Sequence, residues 1–429
     1  MLVGHGLVYL IICLASSVAF IYISFGDLAF QFMEKKMSFV GREGAHFLVD
    51  GTPFYVNGWN SYWLMIQSVE EATRPRITAM FKTASSLGLT VCRTWAFNDG
   101  TYKALQISPG LFDETVFKAL DRVVMEARRH RIRLLLSLAN DWKDYGGKVQ
   151  YVKWAWEAGV GLSSSNDSFF FDQSIRSYFK NYIKAILTRR NHLTGIEYRD
   201  DPTIFGWELM NEPHCPSDPS GDTLQNWIEE MANYVKSIDK KHMLTIGFEG
   251  FYGPSSPAQK LLVNPAEHFS RLGLDFIRNS KVPALDFTSV HIYPDLWLPE
   301  GTDEEEKIAF VSRWAASHIK DGHNELRKPV LFTEFGLSSK NRNASDSLYA
   351  EFYKHVFDLI YKSAKKKGAG SGSFIWQLIE GGMEEFHDEF GIVTGEKPSL
   401  RKLLKEQSCR LGKISHRRRW AWRSTEKGC

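Results

Sequence analysis

Eight short apolar runs punctuate the chain: Phe54–Asn60, Thr90–Phe97, Arg133–Asn140, Ile204–Asn211, Met243–Phe248, Phe287–Tyr293, Val330–Glu334 and Ser373–Leu378. None alternates strictly between apolar and polar, which is the pattern of strands covered on both faces. Between them lie stretches whose apolar positions recur with helical period: Glu70–Leu87, Glu114–His130, Phe169–Thr188, Thr223–Ile238, Ala266–Ile277, Glu304–His318 and Ser347–Lys365, with a last one at Ser399–Glu406. Strict alternation without an internal repeat or low-complexity linker predicts an α/β protein, a single (β/α)8 TIM barrel. A doubly wound open sheet competes. It wants a glycine-rich turn after the first strand, and Gly58–Ser61 is not one. Phe47–Tyr55 reads as a short N-terminal hairpin turning at Asp50–Gly51, placed to cap the barrel's bottom. The barrel domain is expected to span 39–411, with a targeting segment at 1–26 and a basic tail at 412–429.

The polar signal sits where the apolar runs stop. In a closed parallel barrel the C-terminal strand tips converge on one bowl, where barrel enzymes keep their chemistry. The tips here are Asn60, Arg93 to Phe97, Asn140 to Trp142, Asn211 and Glu212, Phe248 and Glu249, His291 with Tyr293, Glu334, and Trp376. Pro213 forbids the fourth strand to continue past Glu212. Glu212 and Glu334, on two rigid strand ends, are the minimum equipment for glycoside hydrolysis. Arg93, inside a buried run, must pair with a carboxylate: either as a structural ion pair, or to hold one glutamate ionised as a nucleophile. His291 and Tyr293 alternate at period two and so share a face. Tyr293 is expected to bond the nucleophile and His291 to orient the acid. Trp376 serves as a floor for a sugar or as barrel filling. Glu208 lies within its run and is expected to pair with Arg93 or another cation. Glu249 and Glu389 rank below the two chosen carboxylates.

Composition sharpens this picture in a few places. The 429 residues are 43% hydrophobic and 24% charged, enough for one large barrel with a full core. A net charge of +3 gives no case for nucleic acid, although Arg417–Arg419 and Arg423 crowd the tail. Thirteen tryptophans are many. Trp is costly to bury unless its indole N–H finds a partner, so a core accounts for about half and aromatic platforms for sugar rings account for the rest. Cys13 aside, Cys92, Cys215, Cys409 and Cys429 allow three pairings. Cys92 reads as a buried thiol and Cys409 with Cys429 as a staple for the tail. No Cys/His spacing points to a metal. Leu7–Phe25 carries no charge, and Ser17–Ala19 offers small residues for signal cleavage. The same run is long enough to remain as a membrane anchor, and Lys35 and Lys36 on its far side leave both readings open. Either one sends the rest of the chain into the secretory lumen or outside the cell. Asn166–Ser168 and Asn343–Ser345 fit the N-glycosylation pattern.

Taken together, Trp207–Pro213 (WELMNEP), Thr333–Gly336 (TEFG), His291–Tyr293 (HIY) and Arg93–Trp95 (RTW) resemble glycoside hydrolase family 5. Arg93–Gly100 (RTWAFNDG), Trp142–Gly147 (WKDYGG), Gln150–Ala155 (QYVKWA) and Tyr293–Trp297 (YPDLW) are similar to its plant endo-β-1,4-mannanases. The resemblance runs from Phe39 to Leu411. It implies Glu212 as acid/base and Glu334 as nucleophile, with Arg93, Asn211, His291 and Tyr293 in support. It puts Trp95, Asn211, Tyr293 and Trp376 against mannose. Leu138–Trp142 fits mannanases better than cellulases, although their usual second Asn is Asp141 here. The activity the resemblance implies is retaining, endo-acting hydrolysis of mannans, galactomannans and glucomannans of the cell wall. It would be carried out by a secreted single chain whose partner is the polysaccharide, with no cofactor and no metal. An endo-β-1,4-glucanase on the same scaffold is the alternative, and a catalytically silent polysaccharide-binding barrel is a further one. A membrane-tethered interaction protein would rest on the N-terminal run alone.

Overall fold

The computed structural model describes residues 37–340, 346–393 and 395–416. Its centre is a parallel sheet of eight strands: β1 (Val56–Asn60), β2 (Val91–Trp95), β3 (Arg133–Ser137), β4 (Ile204–Asn211), β5 (Met243–Gly247), β6 (Thr288–Ile292), β7 (Val330–Phe335) and β8 (Gly370–Ile375). The hydrogen-bonded order is β5-β4-β3-β2-β1-β8-β7-β6. Each strand therefore lies beside its sequence neighbour, and β8 pairs with β1, which curls the sheet into a ring. Across the remaining seam, between β5 and β6, single bonds replace a ladder. The Asp286 N–H donates to the Leu244 carbonyl (2.8 Å), the Thr245 hydroxyl to the Phe287 carbonyl (2.9 Å) and the His291 N–H to the Glu249 carbonyl (2.9 Å).

Helices follow the strands as α1 (Arg74–Ser86), α2 (Glu114–Arg129), α3 (Gln173–Leu187), α4 (Asp222–Ile238), α5 (Phe276–Ser280), α6 (Glu304–Asp321), α7 (Asp346–Lys365) and α8 (Pro398–His416). Several begin where an aspartate accepts the free first-turn N–H groups: Asp113, Asp172, Asp275 and Asp303. Asp172 explains one departure from the sequence pattern. The stretch read as one helix from Phe169 is two, Ser168–Phe171 and α3, because Asp172 leaves the helical conformation to cap the second. The expected helix Ala266–Ile277 is replaced by a 3-10 turn at Glu267–Arg271 and the short α5. A further helix, Gly147–Glu157, follows β3. The last helix passes Leu411, the expected end of the domain, and reaches His416.

The N-terminal cap is larger than a hairpin. Gly41–Glu43, His46–Val49 and Thr52–Phe54 form a three-stranded antiparallel sheet, with Asp50 and Gly51 both at positive φ in its second turn. Phe47 from this sheet seals the barrel floor, packing edge-on against Phe205 (5.2 Å) and Phe287 (5.4 Å). It joins Val56, Val91, Leu135, Leu331 and Phe374 in a separate apolar cluster. No helix among the described residues is long and apolar enough to cross a membrane. The targeting run at 1–26, Asn343 and the cluster Arg417–Arg419 lie outside the described residues, as does the Cys429 end of the expected staple.

Candidate active site

All eight residues of β4 are buried, Glu208 and Asn211 among its apolar ones, and the strand delivers Asn211 to the barrel mouth. Glu212 then turns into the left-handed region, with φ of 47°, an uncommon conformation for a residue with a side chain. Its N–H is anchored on the Gly247 carbonyl at 2.7 Å. Gly247 itself has no room for a side chain, since a Cβ there would lie 2.8 Å from the Glu208 carboxyl carbon. Across the bowl, β7 carries Glu334. A carboxylate oxygen of Glu212 and one of Glu334 lie within 4.8 Å of each other, and His291 Nδ1 is within the same distance of both.

The surroundings of the two acids differ. Arg93, fully buried, grips Glu208 through Nε (2.9 Å) and Nη2 (2.6 Å). Its Nη1 donates to Glu334 Oε1 (2.6 Å) and Asn60 Oδ1 (3.0 Å), and its Nη2 also reaches Asn211 Oδ1 (2.6 Å). Burial works against the guanidinium charge, but Glu208 and Glu334 outweigh it and hold Arg93 cationic. The Tyr293 hydroxyl donates to Glu334 Oε2 at 2.6 Å. Glu212 has no such cation in contact. Its partners are the Trp142 indole N–H (2.6 Å) and His291 Nδ1 (2.6 Å). His291 is itself lowered by burial, so the cation bonded directly to the pair is Arg93, on Glu334.

Burial pushes both carboxyls up. For Glu334 the rise is opposed by His291, Arg93 and the Tyr293 hydroxyl. For Glu212 burial is reinforced by the Glu249 charge, and its pKa climbs to about 8. Glu212 therefore keeps its proton at neutral pH, while Arg93 and the Tyr293 hydroxyl both donate to Glu334 and favour its ionised form. That pair can donate a proton to one atom and attack its neighbour.

Aromatic rings complete the cleft, a cavity of about 670 Å³. Trp376 stacks on Tyr62 (5.8 Å, 11°) and leans on Trp95 (6.0 Å), while its indole N–H is fixed by Asp388 at 2.8 Å. Trp142, half exposed, lines the same cleft. Trp59, Trp63, Trp207, Trp227 and Trp314 are instead fully buried in the core. The structure thus brings Arg93, Trp95, Asn211, Glu212, His291, Tyr293, Glu334 and Trp376 into one bowl. Glu208 lies beneath it, paired with Arg93. Glu249 joins the cleft wall, and Glu389 lies on the rim, bonded by Ser338 and Lys340. Tyr62, His214, Asp388 and Phe390 line or brace the same cleft and were not singled out in the sequence, since Tyr62 and His214 lie just past their strands' last residues and Asp388 and Phe390 lie beyond β8.

Residues 37–388 match the family model described as GH family 5 beta-mannosidase-like. The chain belongs to glycoside hydrolase family 5. Within this family it is 60% identical over 415 residues to mannan endo-1,4-beta-mannosidase 2 of Arabidopsis thaliana, covering 96% of this chain and 95% of that protein. It is 57% identical to mannan endo-1,4-beta-mannosidase 2 of Oryza sativa subsp. japonica, over 97% of both. Among solved structures, the endo-1,4-beta-mannanase of Rhizomucor miehei superposes with a TM-score of 0.72. It is 30% identical and covers 88% of this chain and all of that one.

Proposed function

We propose that this family 5 protein is a retaining endo-β-1,4-mannanase, with Glu334 as nucleophile and Glu212 as acid/base. The observation that carries the reading is the approach of one oxygen from each carboxylate to within 4.8 Å of the other. Retaining enzymes hold them about 5–5.5 Å apart, whereas inverting ones leave room for a water at roughly 6.5–9.5 Å. A Glu334 oxygen bonds to the anomeric carbon as the glycosidic C–O bond breaks, and the Glu212 proton goes to the leaving oxygen. Water then attacks the same carbon, gives its proton to Glu212, and the bond to Glu334 breaks. Arg93 and Tyr293 keep Glu334 charged, His291 orients Glu212, and Trp95, Asn211, Tyr293 and Trp376 hold the mannose at the cleavage point. The names of the similar plant proteins support mannan as the polymer. No cofactor enters either step.

The charge-free Leu7–Phe25 run supports entry into the secretory pathway, and the exposed Asn166 is an accessible glycan acceptor. On that reading the enzyme works as a single chain in the cell wall, after cleavage near Ala19. Sequencing the mature N-terminus tests this, and a retained Leu7–Phe25 run would make it membrane-anchored instead. The activity is tested by offering the purified chain mannan, cellulose and xyloglucan side by side, together with Glu212→Ala and Glu334→Ala. Mannan should be cut, and each variant should lose on the order of 10³-fold or more in kcat. An unchanged rate in either variant would remove that residue from the mechanism, and a preference for cellulose would favour the glucanase.

A further inference from the structure

A row of buried charges that the two hydrolytic steps do not use ends in the cleft that holds Glu212. It begins at Asp167, which accepts from Lys148 Nζ at 3.2 Å. The same ammonium reaches Asp141 Oδ1 at 2.7 Å and the His214 carbonyl at 3.0 Å. Asp141 Oδ1 also accepts the His214 N–H (3.1 Å), and its Oδ2 lies 3.9 Å from His214 Nδ1. On its other side, His214 Nε2 is 2.8 Å from Glu249 Oε1, an ion-pair distance without hydrogen-bond alignment. All five side chains are largely buried. Signs alternate along the row, and it ends at the cleft wall, where Glu249 Oε2 has no hydrogen-bond partner among the described residues. Each member comes from a different loop or helix: Asp141 after β3, Lys148 on the helix that follows, Asp167 ahead of α3, His214 just past Pro213, and Glu249 after β5.

We propose that Asp141, His214 and Glu249 are positioning residues that set how firmly Glu212 keeps its proton. The Glu249 carboxylate favours the protonated acid, and the His214 imidazolium, clamped between Glu249 and Asp141, limits that push. A buried imidazole between two carboxylates, one of them in contact, is stabilised in its charged form. Consistent with this, burial acts to lower His214, but Glu249 and then Asp141 overcome it and carry its pKa to about 9. The charges facing Glu212 from the other elements are Arg93 on β2, Glu334 on β7 and Glu249 after β5, with the uncharged His291 and Tyr293 on or beside β6. Of these, Glu249 is the carboxylate paired with His214. The row thus tunes the acid without touching the nucleophile.

This inference rests on Glu212 being the acid/base, so its test separates the two. The pH dependence of kcat/KM on mannan is measured for the unaltered chain, Glu249→Gln, His214→Gln and Asp141→Asn. The alkaline limb reports the proton on Glu212. Glu249→Gln should move it down by about one pH unit and His214→Gln up by about one, with Asp141→Asn following His214→Gln by less. Limbs that coincide with the unaltered enzyme, or that shift in the same direction for Glu249→Gln and His214→Gln, would overturn the proposal. A second readout needs no activity: the His214 ring resonance of the unaltered chain, identified by its change in Asp141→Asn. Protonation persisting to about pH 9 is expected, and titration near pH 6.5, the ordinary histidine value, would overturn it. Activity surviving in Glu212→Ala would sink the acid/base reading instead.

Discussion

Arg93→Lys keeps a positive charge in the bowl but cannot keep the geometry. The guanidinium donates to Glu208 from Nε and Nη2, to Glu334 and Asn60 from Nη1, and to Asn211 from Nη2. An ammonium is a point donor and cannot serve both Glu208 and Glu334 with a planar fork. Hydrogen bonds to charged groups are worth roughly 1.5–3 kcal/mol each, and breaking a buried pair costs roughly 3–5 kcal/mol because a charge is left uncompensated. We therefore expect a loss of about 3–5 kcal/mol, seen as a fall in Tm of roughly 4–6 °C. The catalytic consequence has a definite sign. Glu334 must be ionised to attack, and Arg93 is one of the groups opposing its upward shift. Weakening that contact raises Glu334 further, so the acid limb of kcat/KM should move to higher pH by about one unit. Thermal melts and a pH profile on soluble mannan measure both effects. An Arg93→Lys enzyme with an unmoved acid limb and unchanged Tm would refute the claim that this guanidinium braces both carboxylates.

Two further substitutions have clear expectations. Trp142→Phe removes the indole N–H that stabilises ionised Glu212, so the alkaline limb should rise by about half a unit to one unit, and a fall would contradict the contact's role. Asp239 accepts from the Trp207 indole (2.8 Å) and pairs with His242 (2.6 Å). Burial alone would raise it, but His242 and Trp207 hold its pKa down to about 2. Its stabilising effect is therefore full above the unfolded value near 4 and is lost as pH falls through about 2. Asp239→Ala should cost about 2 kcal/mol in urea unfolding at pH 7 and progressively less towards pH 2. A cost independent of pH would mean that the carboxylate's charge is not what matters.

Strands were legible where burial on both faces left a mostly apolar run, as in β4, whose limits match the pattern residue for residue. β8 began three positions earlier than its apolar signal, at Gly370. Its first residues are Gly and Ser because the neighbouring strand presses close: a Cβ at Gly372 would meet the Val56 carbonyl at 2.3 Å. The misread helix at Ala266–Ile277 has a different cause. Phe269 and Leu272 line the cleft, so their apolar character belongs to a binding wall rather than to a helix face. Strand-tip residues such as Glu212 and Glu334 were visible because a charge interrupts hydrophobic text. Tyr62 was invisible, since its stack with Trp376 exists only once β8 closes against β1. His214 was hidden for a similar reason, as its partners Asp141 and Glu249 arrive from two other strand ends.

The central claim is that Glu334 forms a covalent bond to the sugar while Glu212 handles the proton. Incubation with a 2-deoxy-2-fluoro-β-mannoside bearing a good leaving group, which slows breakdown of the intermediate more than its formation, followed by proteolysis and mass spectrometry, tests it directly. The account predicts a single fluoroglycosyl adduct on the peptide carrying Glu334, absent from Glu334→Ala. An adduct on Glu212 or Glu249, or turnover with no adduct and first-formed products of inverted anomeric configuration, would contradict it.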